Sequence, residues 1–150
     1  MIAVLQKVSE ASVLIDKKIK SRINNGLLIL LGITHEDTED DIVWLSKKIV
    51  QMRIFSDKEG KMNLSVKDIQ GEIIVVSQFT LHASTKKGNR PSFTNAAPPP
   101  IAIPLYEQFV NILSINLGKN VQTGEFGADM KVSLTNDGPV TIIIDSKNRI

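Results

Sequence analysis

Residues 72–81 of this chain, EIIVVSQFTL, pass from four consecutive branched apolar side chains into a polar end. A short, continuous apolar run rich in β-branched residues predicts a strand that is buried on both faces. If the strand continues beyond the apolar run, alternation places Gln78, Thr80 and His82 on one face. A strand that ends in such side chains predicts a functional site there, formed by Ser77, Gln78, Phe79 and Thr80.

Strand and helix patterns flank this stretch on both sides. Thr38 followed by Asp41 predicts a helix N-terminus, and apolar residues at helical spacing extend that helix to about Arg53. Gly118 predicts the end of a second helix. Further strands are predicted at residues 2–8, 12–15, 19–23, 27–31, 121–123, 130–135 and 140–144, with a turn at 16–18 and a long loop at 82–100. The predicted fold class is α/β, a mixed sheet with two main helices packed on it.

Composition places the chain among ordinary globular proteins. With 42% apolar and 23% charged residues, positions 1–150 are expected to form a single domain. The absence of cysteine excludes disulfides and thiolate metal sites. No acidic or histidine pair has metal-ligand spacing, so we expect neither a metal nor a cofactor. There is no basic leader and no run long enough to span a membrane, so we expect a cytoplasmic protein without membrane contact.

Positive charge is modest in total but clustered. The formal net charge is +2, from 18 basic and 16 acidic side chains. An early cluster comprises Lys17, Lys18, Lys20 and Arg22, and for it a solvated surface is the favoured interpretation. A second cluster, which adjoins the predicted site, comprises Lys86, Lys87 and Arg90. Its position next to that site predicts contacts with phosphate groups.

A second motif, NDGPVT at residues 136–141, lies between two apolar segments near the C-terminus. On spacing alone it predicts a hairpin loop, because glycine permits a positive φ and proline suits the first position of the next strand.

Five stretches in register resemble the D-aminoacyl-tRNA deacylases, from Met1 to about Asp145. Besides residues 77–81 and 136–141, they are Ala11-Ser12-Val13, Arg53-Ile54-Phe55-Ser56-Asp57 with Gly60-Lys61-Met62-Asn63, and Arg90-Pro91-Ser92-Phe93. The resemblance implies a layered β/β/α fold with mixed, barrel-like sheets that forms a homodimer. It also implies hydrolysis of the ester bond of D-aminoacyl-tRNA at the 3′-terminal adenosine, and of glycine mischarged on tRNA-Ala.

The resemblance also assigns roles to individual residues. Backbone amides and hydroxyls around Ser77–Thr80 would bind the ester carbonyl oxygen. A cis Gly138-Pro139 bond would reach into the partner subunit's pocket, hold the substrate amino group and leave no room for an L side chain. Ala96 would allow close approach of the terminal adenosine. Either the 2′-hydroxyl of that adenosine assists the attacking water, or Thr80 acts as a nucleophile.

Other interpretations compete with this one. A Thr80–His82 dyad is rejected because both residues lie where the strand gives way to a loop, and His35 is expected on the surface. Lys7 stands where many relatives are expected to have arginine, which is not equivalent at a bidentate contact. Two alternative functions remain: a related deacylase of relaxed chirality that acts on tRNA mischarged with L-alanine, and a non-catalytic module that binds the tRNA end.

Overall fold

A computed structural model describes residues 1–149, so the last residue of the predicted domain, Ile150, lies outside the described residues. The chain alternates strands with two helices, and a short 3-10 turn at Phe79–His82 follows the sixth strand. The elements, in chain order, are β1 (Ile2–Ile15), β2 (Lys18–Ile23), β3 (Gly26–Gly32), α1 (Glu39–Gln51), β4 (Phe55–Ser56), β5 (Met62–Leu64), β6 (Glu72–Ser77), α2 (Pro99–Leu117), β7 (Gln122–Thr123) and β8 (Lys131–Asp145).

Strand β1 organises the sheet. Along one edge it pairs antiparallel with β8, and along the other its first half pairs with β3 and its second half with β2. The strands predicted separately at residues 2–8 and 12–15 are therefore one strand of 14 residues. Its partner β8 joins the segments predicted at 130–135 and 140–144 in the same way. Bulges let one long strand bend where the sequence pattern breaks.

The sheet continues from β3 to β6 and β7, which run parallel to one another. Its two ends then approach each other, since Ser21 on β2 donates to the carbonyl oxygen of Thr123 on β7. The result is a nearly closed, barrel-like sheet, as the resemblance implied. Gly26 permits the tight contact between β3 and β6, because a Cβ at that position would lie 1.9 Å from the Glu72 carbonyl oxygen. As predicted, the apolar side chains of β6 are buried.

Both predicted helices are present. Helix α1 begins with the expected capping box, in which Thr38 and Asp41 satisfy each other's backbone amides, and it ends at Gln51. Helix α2 ends at Gly118, whose φ of 85° is left-handed. It begins at Pro99, inside the predicted loop, because proline is well tolerated in the first turn of a helix. The helices pack against each other and over one face of the sheet, and no helix among the described residues is long and apolar enough to cross a membrane.

The Asp41 carboxylate joins the start of α1 to the residues that follow β8. It is buried and accepts hydrogen bonds from Ser146 Oγ and Lys147 Nζ, both at 2.7 Å. Burial alone would raise the pKa of Asp41, but hydrogen bonds from Lys147, Ser146 and the Thr38 amide outweigh it. The pKa of Asp41 is therefore held well below its usual range.

This network makes stability depend on pH. A carboxyl group with a depressed pKa stabilises the fold above the unfolded-state value of about 3.9, and that contribution disappears as the pH falls through the folded-state pKa. The free energy of unfolding of an Asp41→Asn variant should be about 1–3 kcal/mol lower than that of the wild type at pH 7, because the substitution replaces a charged acceptor of a buried network. In thermal melts from pH 7 to pH 3, the melting temperature of the variant should decline less steeply with falling pH than that of the wild type. The exposed Asp40→Asn substitution is the matched control. If the melting temperature depended equally on pH in all three proteins, the Asp41 network would not be the source of the pH dependence.

Candidate active site

Strand β6 ends at Ser77, and the chain then turns sharply at Gln78 into the 3-10 turn. Hydrogen bonds from the amide of Leu81 to the carbonyl oxygen of Gln78 (3.2 Å) and from Ala83 to Thr80 (3.0 Å) close this turn. The strand does not continue past Ser77, so the condition under which Gln78, Thr80 and His82 would share a strand face is not met, as expected when the Thr80–His82 dyad was rejected.

A cavity of about 330 Å³ lies at the end of β6. One wall consists of the end of β6 and its continuation through Phe79, and Ala97, just before α2, and Ala102, in its first turn, add to it. A second wall comes from the connection between β7 and β8 and the start of β8, which sequence reasoning missed because these residues form no recognisable motif. That wall comprises Phe126, Gly127, Ala128, Asp129, Met130 and Val132.

Gln78 and Thr80 form a polar pair at this site. The Gln78 side-chain amide donates to Thr80 Oγ1 at 2.5 Å, and the backbone amide of Gln78 donates to the Leu31 carbonyl oxygen at 2.8 Å. The amides of Phe79 and Thr80 make no backbone hydrogen bond within residues 1–149. Two free donors at the start of a tight turn suit an oxygen atom that becomes negatively charged.

Neither histidine is placed to activate Thr80. The Nε2 atom of His82 is buried, and it finds no hydrogen-bond partner in the described part of the chain. Its ring packs beside Gly32, where an added Cβ would lie 3.1 Å from the His82 Cδ2 atom. His35 lies in an exposed loop with Nε2 3.2 Å from the Thr94 carbonyl oxygen, as expected for a surface residue. The geometry gives Thr80 no imidazole base.

The loop between the 3-10 turn and α2 is tied to the cavity by aromatic packing. Phe79, 54% exposed, meets the ring of Phe93 edge to face with centroids 5.1 Å apart. A backbone bridge between Ser84 and Ser92 closes the loop upon itself. The exposed residues of its tip include all three predicted phosphate contacts, Lys86, Lys87 and Arg90.

Ala96 lies one position away from the cavity wall. Its backbone bridges to Thr34, whereas the buried Ala97 lines the cavity and donates its amide to the Ile33 carbonyl oxygen at 2.9 Å. The structure thus brings Ala97, rather than Ala96, into the wall. Sequence alone does not distinguish two adjacent alanines in a proline-rich loop.

The Gly138-Pro139 segment is not a hairpin loop, so that prediction is wrong. Asn136 pairs with Val8 and Thr141 with Gln6, on the same partner strand and in the same direction. Residues 137–140 therefore form an extended bulge opposite a single residue of β1. The Gly138-Pro139 bond is cis, as the resemblance implied, and both residues are exposed.

Side chains on β1 and β8 hold this bulge at both ends. Gln6 Oε1 accepts hydrogen bonds from Asn136 Nδ2 and Thr141 Oγ1, each at 2.6 Å. Asn136 Oδ1 accepts the Val140 amide at 3.0 Å. Lys7, the residue that the bulge faces, has its Nζ atom 3.6 Å from an Asp137 carboxylate oxygen. Sequence reasoning missed Gln6, although a glutamine inside an apolar strand indicates that its side chain makes a hydrogen bond there.

Gly138 and Pro139 do not line the cavity of their own chain within residues 1–149. The chain therefore presents the two predicted elements, the cavity and the bulge, at separate places, and the bulge is exposed.

The sequence model of the D-Tyr-tRNA(Tyr) deacylase family matches residues 4–145. The chain belongs to this family. It is 68% identical over 149 residues to the D-aminoacyl-tRNA deacylase of Flavobacterium psychrophilum and 63% identical to that of Bacteroides fragilis, with 99% of each chain covered. The recognition made from the sequence motifs is confirmed.

Two solved structures superimpose on this chain over nearly its whole length. A structure titled "c-Myc DNA Unwinding Element Binding Protein" superimposes with a TM-score of 0.92 at 41% identity, covering 97% of this chain and 98% of the other. A probable eukaryotic D-amino acid tRNA deacylase superimposes with a TM-score of 0.82 at 17% identity, covering 95% and 97%. The second likeness shows the fold alone.

Proposed function

We propose that this chain hydrolyses the ester bond of D-aminoacyl-tRNA, releasing the D-amino acid and tRNA. The observation that carries the proposal is the identity above 60%, over 99% of both chains, with proteins named D-aminoacyl-tRNA deacylase. The domain of residues 1–150 would act as a homodimer in the cytoplasm, as a proofreading hydrolase of translation.

The ester carbonyl oxygen would be bound at the 3-10 turn. As the tetrahedral intermediate forms, negative charge develops on that oxygen, and the free amides of Phe79 and Thr80 stabilise it. The side chains of Ser77 and Gln78 position the substrate beside them. The cavity, lined by the small residues Ala97 and Ala102, receives the aminoacylated end, with Ala96 behind this wall.

Of the two candidate mechanisms, assistance by the 2′-hydroxyl of the terminal adenosine has the better support. A nucleophilic threonine needs a base that takes its proton. Thr80 Oγ1 instead accepts a hydrogen bond from Gln78, and its hydrogen bonds within residues 1–149 include none to an imidazole or a carboxylate. The RNA would therefore organise the attacking water, and the protein would supply position and charge stabilisation.

Chiral selection would come from the partner subunit. The exposed bulge at Gly138 and Pro139 would enter the partner's cavity, where its carbonyl oxygens hold the substrate amino group. No space would remain for an L side chain, whereas glycine mischarged on tRNA-Ala would pass. Two observations support this arrangement: the bulge does not line its own cavity, and Gln6 holds both of its ends.

A dimer also suits the outer edge of β8. Within the described residues this strand of 15 residues pairs only with β1, so its other edge has unpaired backbone groups. Ile143 on the same strand is 70% exposed. At the loop tip, Lys86, Lys87 and Arg90 would contact phosphates near the 3′ end, which positions the RNA without reading chirality.

Deacylation assays test the proposal directly. D-tyrosyl-tRNA should be hydrolysed at least about 1,000-fold faster than L-tyrosyl-tRNA, because steric exclusion with buried polar contacts discriminates strongly. Glycyl-tRNA-Ala should also be hydrolysed. Release of the amino acid from each labelled substrate is measured over time against the spontaneous rate.

Sedimentation at micromolar concentration accompanies the assay, and a dimer is expected. Rapid hydrolysis of tRNA mischarged with L-alanine would favour the deacylase of relaxed chirality. Tight tRNA binding without any hydrolysis would favour the non-catalytic module. An active monomer would contradict the cross-subunit site while leaving the activity in place.

A further inference from the structure

The turn between β1 and β2 and the start of β2 carry three exposed lysines, Lys17, Lys18 and Lys20. None of them lies within 4.0 Å of a carboxylate in the described part of the chain, whereas Arg22 of the same cluster pairs with Glu10 at 4.0 Å. We call residues 16–20 the hairpin tip. From sequence alone this cluster was assigned to a solvated surface, and its place in the fold changes that interpretation.

The hairpin tip contains a tight two-residue turn. Asp16 and Lys17 have φ values of 49° and 63°, in the left-handed region that favours glycine. Lys20 is the extra residue of a bulge, because Val13 pairs with Ser21 while Leu14 pairs with Ile19. Bulges re-aim side chains and are common beside active sites. The turn and the bulge therefore define the backbone from which the three lysines extend.

Strand pairing places the tip beside the cavity. Lys131 pairs with Leu14, and Leu14 pairs with Ile19, so Ile19 lies about 10 Å from Lys131 across two strand spacings. Met130 and Val132, on either side of Lys131, line the cavity. The acidic residue of this wall, Asp129, is paired with Lys131 at 3.0 Å.

The cavity thus has a cationic segment attached to each wall. The loop tip with Lys86, Lys87 and Arg90 is tied through Phe93 to Phe79 on one wall. The hairpin tip adjoins the other wall, where Ser21 of β2 bonds to Thr123 just before it. A ligand that fits both segments has its reactive end in the cavity and several phosphates that follow it, as the 3′ end of an RNA strand does.

We propose that the hairpin tip binds backbone phosphates of the tRNA close to its esterified 3′ end. Lys17, Lys18 and Lys20 adjoin one wall of the cavity and the loop tip is tied to another, so the two tips contact phosphates of the same RNA. This inference rests on the proposed function and adds a second phosphate-binding surface to it. Phosphate contacts are electrostatic, and they position the substrate without specifying its sequence or chirality.

A charge-matched pair of triple variants tests the proposal. The first combines Lys17→Ala, Lys18→Ala and Lys20→Ala. The control combines Lys58→Ala, Lys61→Ala and Lys67→Ala, which removes three exposed lysines around β5, away from the cavity. Two readouts are taken: binding of uncharged tRNA as a function of salt, and kcat/KM for D-tyrosyl-tRNA relative to the D-tyrosyl ester of adenosine, which has no stem.

For the hairpin variant, the slope of log Kd against log salt should fall by about 2–3, because each phosphate contact contributes about one unit. The preference in kcat/KM for full-length substrate over the adenosine ester should fall about tenfold, and the control should retain both properties. Equal losses in the control, or an unchanged salt slope in the hairpin variant, would overturn the proposal. If the wild type hydrolyses neither ester, the proposed function fails, and the salt slope with uncharged tRNA still decides the role of the tip.

Discussion

A Gly138→Val variant is expected to lose D-aminoacyl-tRNA hydrolysis by about 100-fold or more, equivalent to roughly 2.7 kcal/mol of transition-state stabilisation. Gly138 has a φ of 134°, which a β-branched residue adopts poorly, and a Cβ there would lie 2.8 Å from Val140 Cγ2 and 3.1 Å from the Val140 nitrogen. The bulge must therefore change shape, and the carbonyl oxygens that are proposed to hold the substrate amino group should move. Single-turnover hydrolysis of D-tyrosyl-tRNA measures the loss.

Gly60→Val is the matched control. Gly60 also has a positive φ, of 79°, but nothing lies within 4 Å of an added Cβ, and it belongs to the turn between β4 and β5. Both variants incur backbone strain, but only the change at Gly138 should affect activity. Binding of tRNA should persist in the Gly138 variant, since the proposed phosphate contacts lie elsewhere. Full activity of Gly138→Val in a folded dimer would mean that the bulge takes no part in catalysis or chiral selection.

Removing the 2′-hydroxyl of the terminal adenosine should reduce the enzymatic rate enhancement by about 100-fold or more, the scale of a lost acid–base contribution. The substrate is tRNA that ends in 2′-deoxyadenosine with D-tyrosine esterified at the 3′ oxygen. Hydrolysis with enzyme is compared with the spontaneous rate of the same ester. Such a loss follows if the RNA, rather than Thr80, organises the nucleophile.

Two protein variants complete that experiment. Thr80→Val should remain within about tenfold of the wild type, because it removes one hydrogen bond from Gln78 and no nucleophile. His82→Ala should also retain most activity, since the imidazole makes no bond to Thr80 in the described chain. Collapse of Thr80→Val together with normal hydrolysis of the deoxy substrate would identify Thr80 as the nucleophile. A collapse of His82→Ala with the fold intact would restore the dyad.

Local sequence patterns correctly predicted those elements whose ends and burial depend on neighbouring residues. The capping box at Thr38 and Asp41 marked the start of α1, and Gly118 marked the end of α2. The apolar run in residues 73–76 identified a strand buried on both faces. In each case the signal and its cause lie within a few residues, as hydrogen bonds to adjacent amides or as side chains that must leave water.

Pairing between strands that are distant in sequence determined the structure of two segments that local patterns did not resolve. Residues 136–141 have the composition of a hairpin turn, yet β8 continues past them, because β1 offers partners on both sides of the bulge. The sequence left open whether the strand continues beyond Ser77, and the chain forms a 3-10 turn there. Local composition allows both outcomes at each place, and the choice depends on contacts with distant strands.

The sequence by itself determined the family, the fold class and the positions of both motifs, because each depends on residue types at a fixed spacing. Only the tertiary structure decided which residues stand around the cavity. It brought in Ala97 and the wall at Phe126–Met130, placed the hairpin tip beside that wall, and set the Gly138 bulge apart from its own cavity. The physical reason is that cavity walls and charged surfaces arise where strands distant in sequence pair, and pairing register is a property of the whole sheet.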